Sequence, residues 1–77
     1  MARIEESRFK KIDKERNSVH QTVQATYSIF EKDGIRYFQI DTYGKDDREM
    51  PEKISQSIQM DEKMVDKLIK LLEITFN

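Results

Sequence analysis

The feature that most constrains this chain is the Asp33-Gly34 dipeptide set between two runs of alternating residues, "ATYSIFEK" and "IRYFQIDTY". Both residues enter the left-handed backbone region cheaply, so a two-residue hairpin turn is expected there. That turn fixes a register: Lys32 opposite Ile35, Glu31 opposite Arg36, Phe30 opposite Tyr37, Ile29 opposite Phe38, Tyr27 opposite Ile40, and Ala25 opposite Thr42. Ala25, Tyr27 and Ile29 then share a face with Phe38 and Ile40. A slip of one residue would turn Phe38 and Ile40 away from that set.

The alternation begins earlier, at Val19. Val19, Val23, Ala25, Tyr27 and Ile29 hold one parity, and His20, Thr22, Gln24, Thr26 and Ser28 hold the other. A half-buried strand from Val19 is therefore predicted. Residues 44–53, "GKDDREMPEK", contain the only proline and seven charged side chains and read as a loop. "ISQSIQM" alternates again and predicts a third strand, with Ile54, Ile58 and Met60 on one face. Asp61 follows as an N-cap, and Glu62 suits the positive end of a helix dipole. Met64, Leu68, Leu71, Leu72 and Phe76 then trace an amphipathic helix, widened by Val65 and Ile69.

Residues 1–17 carry six basic and four acidic side chains, with Ile4, Phe9 and Ile12 as the only large apolar residues beyond Met1. Those three make no helical stripe. A charged N-terminal arm or frayed helix is expected there, ahead of one small domain over 18–77. The fold class expected is α+β: a small antiparallel sheet of three to four strands followed by one C-terminal amphipathic helix.

A domain of 77 residues without cysteine has neither disulfides nor thiolate-bound metal to reinforce a small core. The stripe Val65, Leu68, Ile69, Leu72 and Phe76 is wider than a narrow sheet can cover. Burial of each such side chain is worth about 1.5–3 kcal/mol, so a homodimer formed across this stripe is expected. The formal net charge of -1 argues against non-specific attraction to a polyanion. No apolar run is long enough to span a membrane, and the first residues are not those of a secretory signal; a cytoplasmic protein is expected.

The hairpin's second face carries Phe30, Ile35, Tyr37 and Tyr43 among Thr26, Ser28, Gln39 and Asp41. Exposed rings can stack bases while cations follow phosphates. Candidate contacts to single-stranded nucleic acid are thus Phe30, Arg36, Tyr37, Tyr43, Lys45, Arg48 and Lys53. The same aromatic face, or the 44–53 loop, could instead bind a protein, making the chain a regulator or inhibitor. Enzyme chemistry is not expected. The only glycines, Gly34 and Gly44, cannot build a phosphate loop. His20 lies on a polar strand face without a nucleophile, and Asp46, Asp47 and Glu49 lack the spacing of a calcium loop. No catalytic residue, metal or cofactor is predicted.

"QIDTY", a charged loop, "SIQM" and a capped helix from Asp61 together resemble the single-stranded DNA-binding domain of the transcriptional coactivator Positive Cofactor Four and its small bacterial relatives. The resemblance covers about residues 25–76. It implies a curved sheet that grips single-stranded nucleic acid, a helix that mediates dimerisation, and a role in transcription regulation. The family tends to carry a basic residue where Asp41 stands, and glycine with basic residues where this chain has Ser55, Gln56 and Ser57.

Overall fold

The computed structural model describes residues 1–44 and 53–77. Four strands, β1 (Ala2–Ile4), β2 (Ala25–Lys32), β3 (Ile35–Tyr43) and β4 (Ile54–Asp61), precede one helix, α1 (Glu62–Phe76). They form a single sheet in the order β1-β4-β3-β2. The α+β class stands, but the sheet is mixed rather than purely antiparallel: β1 runs parallel to β4, pairing Ala2 with Ile58, Arg3 with Gln59 and Ile4 with Met60.

The hairpin adopts the register set by its turn, from Lys32 opposite Ile35 to Ala25 opposite Thr42. Asp33 and Gly34 both take positive φ, 54° and 76°. This backbone twist matches that of the flanking strands, which is why a two-residue loop suffices. Tyr27 and Phe38 stack on the face that receives α1, with ring centroids 5.5 Å apart. Phe30 and Tyr37 stack on the opposite face at 5.2 Å. The sheet is therefore two-sided. Phe38, Ile40, Ile58 and Met60 share the inner face, and on the outer face Tyr37 and Gln39 lie beside Asp61 and Gln59.

Three expectations need correction. The start of the N-terminal segment is part of the sheet, since Ala2–Ile4 pairs with β4 and a 3-10 turn over Glu6–Arg8 follows, while residues 10–17 are exposed without helix or strand. Three residues are too short for a periodicity to register, yet Ile4 supplies the inner-face side chain that the pairing requires. The strand expected from Val19 starts only at Ala25. β2 is an edge strand whose sole neighbour, β3, ends at Tyr43, and the last bond between them joins Tyr43 N–H to Gln24 C=O at 3.0 Å. Among the described residues no strand lies opposite Val19 and Val23, and both are exposed. Finally, the β3–β4 register shifts beyond Thr42, where Tyr43 pairs with Ile54 and Ser55 is skipped. A bulge of this kind moves the following residues to the other face, so Ile54 does not share the face of Ile58 and Met60.

Asp61 caps α1 as expected: its Oδ1 accepts the Met64 backbone N–H at 3.0 Å. Met64 is fully buried and Met60 nearly so, and these are the only buried apolar side chains among the described residues. The molecule exposes 7532 Å². A compact chain of this mass would expose about 4,900 Å². Part of the excess lies in residues 10–24, which cross from one sheet edge to the other without helix or strand and with every side chain exposed.

The cap gives a direct test. Asp61→Ala should lower the free energy of unfolding in urea by about 1 kcal/mol, while Asp61→Asn should retain most of it, because the amide oxygen can accept the same bond. Equal losses for the two variants would show that the cap contributes little.

Candidate nucleic-acid interface

The outer face is built by alternation. β2 sends Thr26, Ser28, Phe30 and Lys32 to it, β3 sends Ile35, Tyr37, Gln39, Asp41 and Tyr43, β4 sends Ser57 and Gln59, and β1 sends Arg3. At one end of this face the Phe30 and Tyr37 rings stack and are half-buried. The Arg3 guanidinium donates to the Tyr37 hydroxyl at 3.4 Å, and Lys32 stands two residues beyond Phe30 on the same face. Two cations thus flank an aromatic pair.

The centre of the face is a polar chain. Gln59 Nε2 donates to Gln39 Oε1 at 2.8 Å, and Gln39 Nε2 donates to Asp41 Oδ1 at 2.9 Å. Ser57 Oγ donates to the same carboxylate oxygen at 2.5 Å. Asp41 is 8% exposed and Ser57 9%. A buried carboxylate is costly unless hydrogen-bonded, and these two donors supply its partners. Asp41 is therefore part of the sheet's internal structure, the acceptor on which Ser57 and Gln39 converge. Asp61, at the aromatic end, is likewise engaged in capping α1.

The candidates named from sequence separate in space. Phe30 and Tyr37 come together. Tyr43 lies six residues further along β3, about 20 Å at the usual strand rise, where its hydroxyl shares a 3.0 Å hydrogen bond with Thr26. Lys53 is exposed at that far end, just before β4 begins opposite Tyr43. Arg36 is on the other side of the sheet: it pairs with Glu31 and lines an open groove with Ile29, Phe38, Val65 and Ile69. Lys45 and Arg48 lie outside the described residues. Arg3 and the chain from Gln59 to Asp41 are what the residue patterns did not reveal. Arg3 needed knowledge of a three-residue strand, and the amide pairing needed the β3–β4 register.

Val65 and Leu68 of the helical stripe are half-buried, whereas Ile69, Leu72 and Phe76 are 49%, 46% and 79% exposed. Tyr27 and Ile29, on the inner face of edge strand β2, are also open to solvent. Among the described residues no group of three or more His, Cys, Asp or Glu is placed to hold a metal ion, and no helix is long and apolar enough to cross a membrane. No protein-family model, curated protein or solved structure matches the chain.

The polar chain predicts a measurable cost. Ser57→Ala takes one donor from a buried carboxylate and should destabilise the fold by about 1–3 kcal/mol in chemical denaturation. An unchanged midpoint would mean that water replaces the hydroxyl and that the Asp41 site is wetter than its burial indicates.

Proposed function

We propose that this protein is a non-enzymatic binding module that takes single-stranded nucleic acid on the outer face of its sheet and works as a homodimer. The observation that carries the binding reading is the stacked Phe30–Tyr37 pair on the sheet face turned away from α1, with Arg3 and Lys32 beside it. Rings offer a surface to any base, and the cations offer partners to phosphate. Asp41 and Asp61 each have a structural role, as acceptor for Ser57 and Gln39 and as helix cap, so their presence beside this face is accounted for by the fold. The pattern resemblance of residues 25–76 to the Positive Cofactor Four domain favours the same ligand and a transcription-related role.

A labelled oligothymidylate titrated into the protein at low salt should bind with an affinity of about 10 µM or tighter, weakening as salt is added. Phe30→Ala and Tyr37→Ala should each cost about 1–3 kcal/mol of binding free energy, without a matching loss of fold stability. Absence of binding at low salt, or binding indifferent to both rings, would reject this reading. Capture of a stoichiometric protein dependent on Tyr37 would favour the protein-regulator alternative in its place.

The homodimer rests on the exposed stripe. Val65, Ile69, Leu72 and Phe76 are spaced four, three and four residues apart, so the stripe is symmetric about the point between Lys70 and Leu71. A two-fold axis there sets Ile69 of one copy against Leu72 of the other, and Val65 against Phe76. Isologous contacts of this kind are the commonest in dimers. Light scattering should give twice the chain mass of 9.2 kDa. Leu72→Glu should shift the mass toward the monomer, because it would place two carboxylates in the apolar contact. A monomeric unaltered protein would refute the dimer.

A further inference from the structure

Lys67 is a half-buried lysine on α1 whose ammonium is spent on backbone rather than on an acid. Its Nζ donates to Phe9 C=O at 3.0 Å and to Glu6 C=O at 3.2 Å, and it lies 5.9 Å from the centre of the Phe9 ring. The neighbouring Asp66 pairs instead with Lys70, at 3.1 Å on the exposed side. Lys67 therefore clamps both ends of the segment Glu6–Phe9, which contains the 3-10 turn, onto the helix. That turn is separated from β1 by one residue, Glu5. β1 itself has three residues, runs parallel at a sheet edge and pairs with β4 alone. So short an edge strand has little stability of its own, and the segment that follows it, including this clamp, decides where it sits.

The consequence appears on the opposite face of the sheet. Ile4 points to the α1 side with Met60, while Arg3 lies opposite Gln59 on the outer face and reaches the Tyr37 hydroxyl. We propose that β1 is part of the nucleic-acid interface, that Arg3 is a phosphate-contacting residue within it, and that Lys67 is the positioning residue that holds Arg3 there from the far side of the sheet. This rests on the single-stranded nucleic-acid reading above and adds to it a residue and a support that the sequence did not signal. Lys67 itself does not touch the ligand. Its ammonium satisfies two carbonyls and a ring on the inner side, so its removal acts on binding only through the placement of β1.

The full-length protein and a labelled oligothymidylate, followed by anisotropy over a series of salt concentrations, test this. Arg3→Ala should weaken binding severalfold at low salt and reduce the slope of log affinity against log salt by about 0.7, the value for one phosphate contact on a single strand. Lys67→Met should reduce the slope by the same amount, and Lys67→Arg should restore most of it. The double variant Arg3→Ala/Lys67→Met should bind no more weakly than Arg3→Ala, since both act through one contact. Hydrogen exchange should show faster exchange over residues 2–9 in Lys67→Met, with the α1 amides still protected, which separates release of the strand from loss of the fold. A wild-type salt slope in Lys67→Met, or losses that multiply in the double variant, overturns the proposal. If the unaltered protein does not bind the oligonucleotide, the interface and the phosphate role of Arg3 fall together. Unchanged exchange over residues 2–9 in Lys67→Met would, independently of any ligand, overturn the anchoring role alone.

Discussion

The structure depends first on two consecutive residues of positive φ. Asp33 and Gly34 turn the chain in the sense that the strand twist demands, and the turn leaves no freedom in the pairing that follows. Because side chains alternate strictly, the register then assigns each residue of β2 and β3 to the helix side or the open side. Phe38 is committed to α1, and Tyr37 is committed to the opposite face. The two aromatic stacks, one on each side of the sheet, follow directly from that turn.

Local signals of this strength are what made the hairpin, β4 and α1 readable from residues alone. The Asp61 cap was readable because the bond runs from its side chain to a backbone amide three residues on, so nothing distant is needed. β1 was not readable. A parallel edge strand of three residues is specified by the partner it meets, β4, whose paired residues lie 56 positions away in sequence, and by the clamp of Lys67 on the turn behind it. The over-long first strand has the same explanation in reverse. Val19 and Val23 obey the alternation, but β3 has ended before it could pair with them. Periodicity reports what a segment could do in a sheet, and the neighbour decides whether it does.

The candidate site shows the same division. Phe30 and Tyr37 were found because they belong to one hairpin. Arg36, next to Tyr37 along β3, falls on the other face by the same alternation and is found there opposite Glu31, as the turn register requires. The type of Asp41 is visible in the sequence and its hydrogen-bond partners are not. Once β4 is placed, Ser57 and the chain of glutamine amides account for its carboxylate. A buried acid held by donors from its own strand and from the neighbouring one favours one register and one side-chain order.

The thin core connects these observations. One helix laid across a four-stranded sheet covers β3 and β4 and reaches the turn after β1, while the inner face of β2 stays open, with Tyr27 and Ile29 exposed. The helix has the complementary deficiency, since Ile69, Leu72 and Phe76 project beyond the sheet it covers. Ile29, Phe38, Val65 and Ile69 already line one groove between the two elements, so the uncovered sheet and the uncovered helix are contiguous. In the proposed dimer, the two-fold that places Phe76 against Val65 of the other copy brings the ring to the edge of that groove. The contact that finishes the helix would thereby also cover the open edge of the sheet. The outer face takes no part in this arrangement, so two copies joined in this way would each keep Phe30, Tyr37 and Arg3 free for a ligand.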